Sequence, residues 1–435
     1  MPIGFKKSIL KNGMALLSQR LPQFHGVSIG VWVAAGARHE VSKEEGLSHF
    51  LEHMMFKGTA NRSAFQIAEA VDKIGGEFNA FTSKEYTCFH FLVLHQDTDL
   101  ACEILSDVLC NSTFSEEEIE RERKVILQEI DMVGDNPEEV LYDEFYLKAF
   151  NGHALAKPIL GTKKSVGSFK RKDVLSYFQK HYTTKQMMIS VSGNIEHKAV
   201  EKKLNALLKD KKFAKKRFLS NLKKPQFLPG SGYITKDTEQ TQILLGFPSL
   251  PATHKDRFIL GMMNTHLGGG MSSRLFQEIR ENRGLAYSVY SAQSGFSDAG
   301  IFSIYVGTSE KEGPECMGLI GKEVKKLKTE LLPEKTLRDL KHNIKNSILI
   351  SEDSVEGQMM HLARSQIFFN RYITLSEVFQ AIDKVTSKDI QKMAKTIFDS
   401  KKMRILSLGA LRGQASKKYT QKLKQSYLDC AVSSK

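Results

Sequence analysis

The chain is short of the residues that would place it outside ordinary globular chemistry. It holds one Trp, ten Pro and five Cys among 435 residues. Cys88, Cys102, Cys110, Cys316 and Cys430 are odd in number, widely spread and form no C-x-x-C pair. That spacing excludes a disulfide framework and a thiolate metal knuckle, and leaves reduced, mostly buried thiols. No apolar run approaches the roughly 20 residues of a membrane-spanning helix, so no membrane partner is expected. The N-terminus enters alternating strand-like sequence without an apolar signal stretch or an Arg- and Ser-rich leader, so a cytoplasmic location is expected. Acidic charge is also scarce, with 49 Asp and Glu against 63 Lys and Arg and a net charge of +14. Much of that excess lies between Lys209 and Lys224 and at the C-terminus, and the first stretch offers only Phe213 and Phe218 for base stacking. A nucleic-acid partner is therefore not expected.

What remains is enough for more than one core, and the length suggests two to four domains. Residues 209–232 combine lysine pairs with Pro225, Pro229, Gly230 and Gly232 and show no periodicity, the pattern of a basic linker. The same order of patterns occurs on either side of it. Before the linker come a strand at 27–35, helices at 46–56 and 63–74, a hairpin of strands at 77–82 and 86–95, and helices at 98–109 and 116–132. After it come a strand at 240–247, helices at 256–267 and 273–281, a hairpin turning at 294–300, and helices at 314–331 and 333–351. The expected fold class is α+β, with two similar domains arising by duplication, each a mainly antiparallel β-sheet with helices packed on one face. The expected boundaries are 1–208 for an N-terminal catalytic domain, 209–232 for the linker, 233–410 for a C-terminal domain and 411–435 for a basic tail.

The chemistry concentrates at His49-Phe50-Leu51-Glu52-His53. Two histidines four apart stand one turn apart on the same helical face, suited to hold zinc through neutral imidazoles. Glu52 projects nearby, where a carboxylate can take a proton from bound water. The neighbours Leu47, Met54, Met55 and Phe56 leave little polar surface on which two solvated imidazoles could rest. A further ligand has to come from elsewhere, and the helix opened by the Ser115 and Glu118 capping signature offers Glu122 and Glu129, seven apart on one stripe with Ile119, Val125 and Ile126. Carboxylates on an inward face want a metal or a cation.

Extended through Met54-Met55-Phe56-Lys57-Gly58-Thr59, the motif resembles the signature of the pitrilysin-like inverted-motif zinc peptidases, and the chain is similar to bacterial homologues of the mitochondrial processing peptidase beta subunit. In that family the third ligand lies 76 residues after the second histidine, which is Glu129 here, and the supporting carboxylate seven earlier is Glu122. The segment Gly75-Gly76-Glu77-Phe78-Asn79-Ala80-Phe81-Thr82 resembles the family's edge strand, which implies that Asn79 and Ala80 contact a peptide added as a strand. The segment from Arg280 to Tyr287 resembles the family's arginine and tyrosine pair, a cation and a phenol suited to a carbonyl that gains negative charge. Arg283 and Tyr290 share that spacing, so the register rests on the resemblance alone.

The resemblance implies an endopeptidase with one Zn2+ per chain, His49, His53 and Glu129 as ligands and Glu52 as general base, acting through metal-activated water on peptides or unfolded segments inside a closed chamber. It also implies a homodimer in which the C-terminal domain of one subunit, with Arg280 and Tyr287, faces the zinc site of the other. Gly268-Gly269-Gly270 is shorter than the glycine-rich loop of the family's noncatalytic partner subunits, which favours a homodimer over a mixed pair. The rival reading is a noncatalytic peptide-binding or structural subunit of the same fold, against which the intact histidine motif stands.

Overall fold

In the computed structural model, which describes residues 4–209, 213–214 and 223–431, the alternating stretch around Val27 becomes an interior strand of a six-stranded sheet. Its strands are β1 (Phe5–Ile9), β2 (Ala15–Arg20), β3 (Gly26–Val33), β4 (Glu77–Thr82), β5 (Thr87–Leu94) and β6 (Met187–Gly193), ordered β1-β2-β6-β3-β5-β4. Only the β2–β6 pairing is parallel. Because side chains alternate along a strand, Val27, Ile29, Val31 and Val33 share one face. There they join Phe89, Phe91, Ile189 and Val191 in a core closed by helices Leu47–Met54, Thr98–Asn111, Arg171–His181 and His197–Leu207. Each fully buried side chain of this kind stabilises by about 1.5–3 kcal/mol.

The second sheet has strands β7 (Gly230–Thr235), β8 (Thr241–Ser249), β9 (Ala286–Gly295), β10 (Gly300–Thr308) and β11 (Arg404–Gly409), ordered β7-β11-β8-β10-β9. Again one pairing, β7–β11, is parallel. In each sheet a hairpin supplies the edge strand, β4 in the first and β9 in the second. The α+β class and the two similar, mainly antiparallel sheets are as the sequence indicates.

Each sheet also carries an apolar second face, and a helix from a distant part of the chain covers it. Leu17, Trp32, Cys88 and Met188 pack with Met359, Leu362 and Ala363 of helix Val355–Phe369. Leu244, Leu406 and Leu408 pack with Leu141, Phe145 and Ala149 of helix Pro137–Ala149. A strand glycine makes room for the helix in both cases. A Cβ on Gly30 would lie 2.8 Å from the sulfur of Met359, and one on Gly246 would lie 2.3 Å from the ring of Phe145.

The compact units therefore do not follow the contiguous division at 208 and 233. Of the described residues, those within Met1–Met132, Lys157–Leu222 and Ile348–Thr374 form the first unit, and those within Val133–Ala156, Lys223–Ser347 and Leu375–Lys435 form the second. The physical reason is that the helices adjacent in sequence cover one face of each sheet and leave the other apolar face to be closed. Part of the expected linker, 210–212 and 215–222, lies outside the described residues, and Gly230–Thr235 at its end is already a strand. Residues 413–431 are not a free tail: helix Gly413–Ala431 buries Tyr419, Leu423 and Tyr427 on a stripe of helical spacing, with its lysines on the outer side.

Candidate functional site

Helix Leu47–Met54 forms because Leu47, Phe50, Leu51 and Met54 recur at helical spacing and are all buried. That packing turns His49, Glu52 and His53 toward the carboxylate helix Glu116–Asp135. The Ser115 hydroxyl accepts from the Glu118 backbone N–H at 3.3 Å at the start of the second helix, and Ile119, Glu122 and Ile126 face inward. Val125 does not share their stripe as expected: it is 45% exposed, because the buried face is only as wide as the 119, 122, 126 line.

His49 Nε2 and His53 Nε2 each lie 3.6 Å from Glu129 Oε2. Tetrahedral ligands at about 2.0–2.2 Å from a zinc ion stand about 3.3–3.5 Å apart, so these three atoms fit one ion. Among the described residues they form the one group of His, Cys, Asp and Glu side chains that converges in this way. Burial, with His53 adding to it, pushes the His49 imidazole down to about 3, so it is neutral at physiological pH, as a ligand must be. The Nδ1 of His53 lies 3.0 Å from Glu122 Oε2, which leaves its Nε2 to the metal position. Burial alone would raise the Glu122 carboxyl, but its hydrogen bonds with His53 and Lys57 hold it below the ordinary carboxylate range.

Glu52 is fixed from the edge strand, where the Thr82 hydroxyl donates to its Oε2 at 2.5 Å. Burial raises the Glu52 carboxyl above its usual value, Glu129 adds to the rise, and Thr82 and His53 offset it in part. A raised carboxyl beside a metal position is suited to hold and release a proton. Thr82 and Lys57 lie within the edge-strand and extended-motif segments quoted above but were given no role of their own, because their contacts with Glu52 and Glu122 form only in the folded chain. Asn79 and Ala80 lie on β4, which among the described residues pairs with β5 alone and so stands at the sheet edge. The Asn79 side chain accepts from the Ala80 backbone N–H at 2.8 Å.

Arg280 and Tyr287 belong to the second unit. Arg280 lies on the π-helical turn Phe276–Glu281, a winding frequent at functional sites, and its guanidinium lies 4.8 Å from the Phe276 ring and 4.9 Å from the Tyr287 ring. Tyr287 is 74% exposed. The equally spaced pair is occupied locally, with Arg283 donating to the Glu278 carbonyl and carboxylate at 2.6 Å and the Tyr290 hydroxyl donating to Glu138. A groove of about 600 Å³ beside Arg280 is lined by Asn264, Gly268, Gly269, Gly270, Met271 and residues of β9.

Residues 15–163 match the model of the insulinase family, peptidase family M16, and residues 168–344 match that of the peptidase M16 inactive domain. An uncharacterized zinc protease of Rickettsia felis is 38% identical over 397 residues, 91% of this chain and 95% of that one. One of Bacillus subtilis is 36% identical over 396 residues, 90% of this chain and 95% of that one. The crystal structure of a protease from Helicobacter pylori, 23% identical, superposes with a TM-score of 0.87 over 93% of this chain and 99% of that one, which shows the shared fold. With both domain models matched along its length and relatives of more than one-third identity, this chain belongs to peptidase family M16.

Proposed function

We propose that this chain is a zinc-dependent endopeptidase that hydrolyses peptides or unfolded polypeptide segments. The convergence of His49 Nε2, His53 Nε2 and Glu129 Oε2 beside the Thr82-held carboxyl of Glu52 carries this reading. When bound at those three atoms, one Zn2+ per chain supplies the Lewis acidity that makes water nucleophilic near neutral pH and polarises the scissile carbonyl. Glu52 accepts a proton from the attacking water and passes it to the leaving amine, the task its raised carboxyl suits. Glu122, itself held by Lys57 at 2.8 Å, fixes the ring of His53. The open edge of β4 takes the substrate backbone as an added strand, with Asn79 and Ala80 at the contact. Arg280 and Tyr287 stabilise the carbonyl oxygen as it gains charge, and in a homodimer enclosing a chamber they come from the partner subunit.

Zinc content and cleavage of a quenched peptide library, measured for the native chain and Glu52→Gln, test the reading. The native chain is expected to carry one zinc and to cleave; Glu52→Gln is expected to keep the metal and lose about 10²–10⁴ in kcat. Stoichiometric zinc without cleavage by the native chain sinks the enzyme reading in favour of a peptide-binding subunit. Mixing Glu52→Gln with Arg280→Ala subunits tests the shared site, since activity recovered on mixing requires an exchange between subunits.

A further inference from the structure

The zinc-motif helix Leu47–Met54 is only eight residues long, and its cap position is Gly46, a residue with φ of 90° and no side chain to cap the first turn. Glycine is required there, because a Cβ would stand 2.5 Å from the carbonyl oxygen of Leu160. An uncapped two-turn helix leaves its first backbone N–H groups unsatisfied and frays from that end, and His49 is its third residue.

Glu40, six residues upstream of the cap position and only 4% exposed, fills this role from outside the helix. Its Oε2 accepts from the Gly46 N–H at 2.8 Å, and its Oε1 accepts from the Ser48 N–H at 2.8 Å and the Ser48 hydroxyl at 2.6 Å. With its proton committed to Glu40, the Ser48 hydroxyl accepts from the Tyr177 hydroxyl at 2.7 Å, and Tyr177 is fully buried in helix Arg171–His181. On the backbone side, Lys157 donates to the Glu40 carbonyl at 2.8 Å. The chain of contacts thus runs from a buried tyrosine through Ser48 and Glu40 to the backbone immediately before His49.

We infer that Glu40, with Ser48 and Tyr177, is a positioning group for the zinc site, setting the depth and rotation of the motif helix so that His49 and His53 meet Glu129. This rests on the zinc reading above. Gln at position 40 keeps the size of the side chain but turns an amide N–H toward the Gly46 N–H, so one cap is lost and two donors oppose each other.

The test is the zinc dissociation constant of the purified full-length chain, measured by competition with a chromophoric chelator. The native chain, Glu40→Gln and Ser48→Ala are compared at a temperature below the melting transition of each metal-free protein. A group that only adds to global stability leaves this constant unchanged in folded protein. Glu40→Gln is expected to weaken zinc binding about tenfold or more, in line with other residues that orient metal ligands, and Ser48→Ala several-fold. Equal affinity in native and folded Glu40→Gln overturns the inference while leaving the zinc reading intact. If Glu40→Gln shows no melting transition, Ser48→Ala decides in the same way: a several-fold loss supports the inference and an unchanged constant overturns it. A native chain that binds no zinc overturns both readings together.

Discussion

Helices Leu47–Met54 and Arg257–Gly268 hold the same place in the order of elements, each ahead of a hairpin that supplies an edge strand, and each is tied to that strand by a hydroxyl. In the first unit Thr82 on β4 donates to the carboxyl of Glu52; in the second Ser291 on β9 donates to the amide oxygen of Asn264 at 2.8 Å. One link holds a group that can carry a proton and the other is neutral. The first helix presents two imidazoles one turn apart. The second presents His266 alone, which burial, with Arg274 adding to it, pushes down to about 4. A single scaffold thus tolerates both arrangements, which differ in a few side chains set on it.

The comparison breaks most sharply if the metal resides elsewhere. Glu129→Ala is expected to reduce zinc from one ion per chain to an undetectable level, and His266→Ala to leave it at one, by metal analysis of dialysed protein; the reverse pattern moves the site to the second unit. The next effect concerns the glycines beneath the exchanged helices. Gly246→Ala drives a methyl into the Phe145 ring and is expected to lower stability by about 2–3 kcal/mol, whereas Gly30→Ala meets the thioether of Met359, which can move, and at 3.0 Å the buried indole Nε1 of Trp32, and is expected to lower it by about 1–2 kcal/mol, by denaturant unfolding. Equal losses would mean that the two faces are packed with equal tolerance.

The smallest effect is a titration. His361 on the helix exchanged into the first unit holds Glu352 at 2.6 Å and the Ile373 carbonyl at 2.8 Å. Burial favours its neutral form, but these partners outweigh burial and raise its pKa above 6.5. Its contribution to stability is complete below the unfolded value of 6.5 and is lost as pH rises through the folded value. The stability gap between the native chain and His361→Gln is therefore expected to be on the order of 1 kcal/mol near pH 6 and to shrink toward pH 9. A gap that widens with pH would remove the ion pair from the account.

The features written locally were legible. The hairpin strands, the helices at 47–54 and 116–135 and the three converging residues follow from periodicity and from spacing within single helices, with the choice of Glu129 over Glu122 resting on family resemblance. The exchanged helices were not legible, because an amphipathic stripe states that it will be buried and not against what. Gly30 and Gly246 were the available signals, since a glycine inside a strand marks a close approach. The lysines of 413–431 obscured the stripe Tyr419, Leu423, Tyr427 that makes it a helix of the second unit. Thr82 and Glu40 act through distances that only the folded chain brings about.

The placement of Val355–Phe369 on the first sheet also sets an order of events during synthesis. When β6 leaves the ribosome the first sheet has all its strands, yet the helix that packs on Leu17, Trp32, Cys88 and Met188, residues 355–369, follows much later. During that interval the nascent chain carries a bare apolar sheet face, the kind of surface that chaperones bind and that aggregates when they do not. A fragment ending at the linker would keep that face permanently, so the two halves of this protein are similar in plan but are not separable parts.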